Sequence, residues 1–252
     1  MPDLQNKQLI INNLLVNYYF KTRSEQAPVL LFLHGWRSNG KIWEKVIAKI
    51  TEYNIYAIDF PGFGASEIPK KDFYLKDYAD IIDSFIKKNN LNNIIIIGHS
   101  FGGRVGIKLA SDNPGYLKKL VLVDSAGIII KKHDFKKIIA KLVKPIFKLP
   151  FLSAVRIKIY QSMGAEDYLA TPKLKQTFVN IVNENLTSLL PRIKIPTLLI
   201  WGDKDKDTPL EYARIIEKKI LGSKLVILKD AGHFSFLDKK EEFVKELINF
   251  TK

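Results

Sequence analysis

Six short, almost wholly apolar runs constrain this chain more than anything else in it. They are Val29–Leu33, Ile55–Ile58, Ile94–Ile97, Leu120–Val123, Thr197–Trp201 and Leu225–Leu228. A strand buried on one face alternates polar and apolar residues; a strand buried on both faces does not, and such strands belong to parallel sheets covered by helices. Helical patterns fall between the runs: Lys41–Thr51, Leu75–Asn89, Val105–Asn113, Leu210–Leu221 and Lys239–Phe250 carry apolar residues at spacings of three and four. Strand followed by helix, repeated, predicts right-handed crossovers and a doubly wound α/β fold. Leu9–Phe20 alternates around Asn12-Asn13 and predicts an antiparallel hairpin at the sheet edge. We therefore expect a mostly parallel sheet of eight strands with helices on both faces.

The rhythm breaks between Asp124 and Pro196. Phe135–Phe147, Phe151–Met163 and Leu174–Asn185 look helical, punctuated by Pro145, Pro150, Pro172 and Pro191. An insertion of this kind predicts a helical cap, residues 126–195, over a core built from residues 1–125 and 196–252. Its aromatic residues, among them Tyr160, Tyr168 and Phe178, divide between packing and the lining of an apolar pocket.

The 252 residues contain no cysteine, which removes disulfides, thiolate metal sites and a cysteine nucleophile. The formal net charge is +14. Lysine is spread along the chain, so we read a solvated basic surface and expect no nucleic-acid partner. Lys131-Lys132-His133 and Lys136-Lys137 form a local basic face, read in the same way. No run approaches the roughly 18–20 apolar residues that span a bilayer, and Met1–Lys7 lacks a secretory pattern. A cytoplasmic protein without stable membrane insertion is expected; its oligomeric state is not legible.

Chemistry enters at Gly98-His99-Ser100-Phe101-Gly102. A strand ends here and a helix starts, so Ser100 sits at the apex of a sharp turn, and the elbow glycines Gly98 and Gly102 leave room for close packing. A serine hydroxyl needs a base. Of the four histidines, His34, His99, His133 and His233, the last follows the final strand on the edge of the sheet where Ser100 also lies. A third group should orient His233, and position alone leaves Asp203, Asp205, Asp207 and Asp124 open. Two backbone N–H groups should hold an oxyanion: Phe101, directly after the serine, and Trp36, in the loop after Leu33.

Together these residues resemble the α/β-hydrolase fold superfamily over nearly the whole chain. His34-Gly35-Trp36 looks like its oxyanion loop, and Asp59-Phe60-Pro61-Gly62-Phe63-Gly64-Ala65-Ser66 like its Asp-x-Pro-Gly-x-Gly-x-Ser loop. Gly98–Gly103 looks like its nucleophile elbow, and Gly232-His233 like its histidine loop. Gly202-Asp203-Lys204-Asp205 resembles the segment that carries the acid, which selects Asp205. The resemblance implies a serine hydrolase, carboxylesterase-like, cleaving a small, largely apolar ester with no cofactor and no metal. Serine at the elbow speaks against dehalogenase and epoxide-hydrolase chemistry, where the family carries aspartate. Hydrolysis of carbon–carbon bonds in diketone substrates is the alternative, although His99 and Phe234 stand where that branch typically has Asn and Trp. A non-catalytic ligand-binding member of the fold is the second alternative. Arg104, after the elbow glycines, reads as a structural ion-pair partner. Activity should rise as His233 loses its proton, with a midpoint roughly at pH 6–7.

Overall fold

The computed structural model describes residues 4–129 and 166–252. All six apolar runs are strands. The eight strands are β1 (Gln5–Ile11), β2 (Leu14–Lys21), β3 (Val29–Leu33), β4 (Asn54–Ile58), β5 (Ile94–His99), β6 (Leu117–Val123), β7 (Thr197–Gly202) and β8 (Lys224–Leu228). They form one sheet in the order β1-β2-β4-β3-β5-β6-β7-β8. β1 pairs antiparallel with β2, and β2 antiparallel with β4; every other pairing is parallel. The edge hairpin closes through Asn12 and Asn13, both at positive φ (48° and 62°), the left-handed geometry that a two-residue turn demands and asparagine tolerates.

Among the described residues the helices are α1 (Glu44–Ile47), α2 (Leu75–Lys88), α3 (Phe101–Ala110), α4 (Glu166–Ala170), α5 (Lys175–Val182), α6 (Leu210–Lys219), α7 (Ser235–Asp238) and α8 (Lys240–Thr251). Alternate residues of each central strand feed two cores. Leu31, Leu33, Ile96, Leu122 and Leu199 pack on one face with Phe85 of α2 and Val105 of α3. Leu30, Phe32, Ile97, Val121 and Ile200 pack on the other with Trp43 and with Phe243 and Leu247 of α8. The period-two geometry of a strand thus converts each unbroken apolar run into two buried surfaces.

One expected helix is different. Lys41–Thr51 is a 3-10 turn, Gly40–Trp43, followed by the single turn α1. The Asp59 carboxylate accepts from the Gly40 amide at 2.6 Å, which anchors the start of the segment. Burial of Trp43, Val46, Ile47 and Ile50 then sets its path in place of helix propagation. The expected helices Phe135–Phe147 and Phe151–Met163, with His133 and the basic face beside it, lie outside the described residues. The part of the insertion that is described packs into the core: Leu174, Ile181, Leu186, Leu190 and Ile193 join the α2–α3 face. Among the described residues no helix is long and apolar enough to cross a membrane.

The strand register brings Leu33, Gly98 and Leu122 into one row, so that β3, β5 and β6 end together. The approach at this edge is very close. A Cβ on Gly98 would lie 2.5 Å from the Gly102 carbonyl oxygen, and one on Gly102 would lie 2.3 Å from that of Leu33. Both neighbours are backbone and cannot move aside. Gly98→Ala is expected to destabilise by about 3 kcal/mol, a fall in Tm on the order of 10 °C for a domain of this size. Gly115→Ala, whose new methyl meets nothing within 4 Å, should leave Tm unchanged. Thermal unfolding of the two variants checks this.

Candidate active site

Ser100 stands between β5 and α3 with φ 51° and ψ −109°, a backbone conformation that is strained for any residue but glycine. The fold holds it there from several sides. Its amide donates to the Val123 carbonyl (3.0 Å), and its carbonyl accepts from the amides of Arg104 and Ala126 (3.2 Å each). As the residue preceding α3, Ser100 lies at the positive end of the helix dipole.

His233 and Asp205 meet it from the loops after β8 and β7. His233 Nε2 is 3.0 Å from Ser100 Oγ, and His233 Nδ1 is 2.9 Å from Asp205 Oδ2. Asp205 is buried, whereas Asp203 and Asp207 are exposed. Its other oxygen accepts from the amides of Asp207 (2.9 Å) and Thr208 (3.0 Å), and the Thr208 hydroxyl donates to Oδ2 at 2.6 Å. Burial alone would raise the Asp205 carboxyl, but the hydrogen bond and charge of His233, with the Thr208 donors, leave it below its ordinary value. Burial would likewise lower His233. The hydrogen bond and charge of Asp205, joined by the charges of Asp207 and Asp124, outweigh burial and hold the imidazole above its ordinary value.

Thr208 and Asp124 were not foreseen in these roles. The local pattern Asp205-x-x-Thr208 carries a signal, since an aspartate commonly accepts from the backbone two or three residues on. Asp124 fastens the histidine loop. Its oxygens accept from the Gly202 amide (2.9 Å) and from the Ser235 amide (3.1 Å) and hydroxyl (2.5 Å). Burial pushes the Asp124 carboxyl up to about 7 against the opposing pull of these donors.

The remaining described histidines are scaffolding. His34 Nδ1 donates to the Gly35 carbonyl at 2.7 Å and Nε2 accepts from the Phe60 amide at 3.0 Å, which fixes its tautomer. Burial holds it at about 4, so it stays neutral. His99 Nε2 donates to the His233 carbonyl at 2.7 Å. Burial and then the charge of His233 hold His99 at about 3. The loop Asp59–Ser66 is also structural. Asp59 accepts from Asn17 Nδ2 (2.8 Å) and the Ala65 amide (2.9 Å), and Ser66 Oγ donates to the Asp59 carbonyl (2.7 Å).

Trp36 follows Gly35, which packs against His99 and Ser100. The indole stacks edge-on against Phe63 and Phe101 and touches Phe178. Among the described residues neither the Trp36 nor the Phe101 amide donates to a protein acceptor. A cavity of about 880 Å³ opens over this point, bounded by Trp36, Ser100, Arg104, Phe178, Ile181 and His233 among others. Asp205, Asp207 and His233 bring potential metal ligands within 4.8 Å of one another. The Asp205 and His233 atoms are already committed to each other, to Thr208 and to Ser100, which leaves only the exposed Asp207 carboxylate.

Arg104 differs from expectation. It makes no ion pair among the described residues; Nη2 donates instead to the carbonyls of Ile181 and Glu184, at the C-terminal end of α5. These carbonyls lie in and just past the last turn of α5, the negative end of the helix, where a cation is favourable. Arg37, from the loop after β3, pairs with Asp167 of α4 at 3.2 Å.

Comparison with known proteins identifies the fold. The alpha/beta hydrolase fold profile matches residues 28–152 and 169–240. The AB hydrolase superfamily protein YisY of Bacillus subtilis is 26% identical over 88% of this chain and 91% of its own length. Lipase 1 of Psychrobacter immobilis is 26% identical over 95% of this chain and 82% of its own. The structure of an esterase from Exiguobacterium antarcticum superposes with a TM-score of 0.77 at 22% identity, covering 96% of this chain and 97% of that one. At that identity the likeness speaks for the fold.

Followed by NMR, the His233 imidazole should titrate above about 6.5, the ordinary histidine value. Asp205→Asn removes the charge that raises it and should bring the midpoint down. A midpoint that does not move on this substitution would show that Asp205 does not act on His233.

Proposed function

The chain belongs to the alpha/beta hydrolase fold family, and from that premise we propose that it is a serine hydrolase cleaving an ester-like bond through an acyl-enzyme on Ser100. The carrying observation is the hydrogen-bonded series Ser100, His233, Asp205, with contacts of 3.0 and 2.9 Å at the mouth of one cavity. In this reading His233 Nε2 takes the proton from Ser100 Oγ as the oxygen attacks the carbonyl. The tetrahedral oxyanion rests on the amides of Trp36 and Phe101, donors without a protein acceptor among the described residues. Buried Asp205 stabilises the imidazolium that forms. His233 then protonates the leaving alcohol, and a water deprotonated by His233 releases the acid. The residues need no cofactor or metal for these steps.

The lipase among the relatives supports an ester as substrate, and the aromatic and aliphatic walls at Trp36, Phe178 and Ile181 support a small apolar one. Residues 126–195 act as the lid in this proposal, and the cytoplasm is the working compartment. The described part of that lid is tied down by Arg104, by the Trp36 indole facing Thr171 Oγ1 at 3.4 Å, and by the Phe73 amide donating to Thr177 Oγ1 at 2.9 Å.

Ser100→Ala should lower hydrolysis of a short p-nitrophenyl ester by a factor on the order of 10⁴ or more while leaving Tm intact. Unchanged turnover would overturn the assignment. Because the neutral imidazole is the base and Asp205 raises its pKa, kcat/KM should be low in acid. It should climb through a midpoint above about 6.5, the ordinary histidine value. A flat profile between about pH 5 and 8 would rule out His233 as the base.

A further inference from the structure

Arg104 makes no ion pair among the described residues, and the Glu184 carboxylate acts on it only at longer range. It lies one helical turn after Ser100 on α3, with its amide donating to the Ser100 carbonyl at 3.2 Å. It is 5% exposed and contributes to the wall of the cavity above the serine. Its Nη2 is engaged by two backbone carbonyls, whereas Nε is buried with no hydrogen-bond partner. The Glu184 carboxylate raises its pKa only from a distance, and burial, the larger influence, lowers it to about 10; the guanidinium is therefore charged at neutral pH. A buried cation is expensive unless an anion meets it. The other ionic groups on the cavity wall do not supply one. Asp167 faces Arg37 at 3.2 Å. Lys206 adds a second positive charge, and the exposed Asp207 carboxylate lies on the His233 side, where it acts on the imidazole.

We propose that Arg104 is a specificity-determining residue that reads an anionic group on the acyl part of the substrate, so that this hydrolase prefers hemi-esters of dicarboxylic acids over neutral esters of the same shape. The inference rests on the serine-hydrolase reading and adds a substrate class to it. Arg104 and Ser100 line the same cavity, one turn of helix apart in sequence. A carboxylate set a few methylenes beyond the scissile carbonyl is the kind of group that could meet both. It would bring an anion to a guanidinium on the cavity wall that otherwise meets only backbone carbonyls.

The test compares p-nitrophenyl monoadipate with its neutral isostere, p-nitrophenyl 6-methylheptanoate. The wild-type protein should favour the anionic ester at least about tenfold in kcat/KM, the worth of one charge-assisted hydrogen bond. Arg104→Gln should bring the ratio close to one by losing the anionic ester selectively, Arg104→Lys should retain part of it, and added salt should reduce the wild-type ratio. A purely structural Arg104, holding only the end of α5, would depress both esters together and leave the ratio unmoved. A wild-type ratio of one or below, with both esters turned over in a Ser100-dependent way, overturns this inference and leaves the hydrolase standing. Turnover of neither ester overturns both.

Discussion

The contact between three backbone segments beneath Ser100 governs the whole cavity. β5 runs into α3 through a turn so tight that the backbone of Gly98 lies against that of Gly102, and Gly102 in turn against the end of β3. No side chain fits in either gap. The strain at Ser100, at φ 51°, is sustained by hydrogen bonds to Val123, Arg104 and Ala126, which come from the two elements that pack beside the turn. Because Gly102 lies against the Leu33 and His34 backbone, the loop that carries Trp36 leaves β3 directly beside this turn. In the proposed mechanism the oxyanion site is thus a consequence of close packing in the sheet, without a dedicated framework of its own.

A second layer of contacts works on charge. Asp205 is buried and surrounded by donors, so it remains ionised and raises the imidazole next to it. His34 and His99, also buried, are driven the opposite way and stay neutral. Four strand ends therefore place titratable groups within one small region, yet of the described histidines there only His233 is raised above its ordinary value. The difference is whether a carboxylate touches the ring or only backbone groups and aromatic faces do.

The strands and the elbow were legible because their signals are local: unbroken apolar runs, Asn12-Asn13, and glycines at fixed offsets from Ser100. Position alone did not distinguish Asp205 from Asp203. Burial separates them, with the local bonds from Asp207 and Thr208 turning the Asp205 side chain inward. Other features rest on contacts between residues far apart in the chain. Asp124 reaches Ser235 across 111 positions, and Arg104 reaches Ile181 across 77. The carbonyls that Arg104 meets belong to the backbone and leave no mark in side-chain identity, which is why it read as an ion-pair partner. The segment after Asn39 carried a helical period, but a single bond from Asp59 to Gly40 and the burial of Trp43 set its course.

The account turns on Ser100 being an activated nucleophile. Treatment with a fluorophosphonate followed by peptide mass spectrometry tests that directly, independently of the substrate chosen. One equivalent of adduct on the peptide containing Ser100, formed faster as the pH rises and absent in His233→Ala, is the predicted result. A protein that remains unlabelled, or is labelled at another serine, would contradict it.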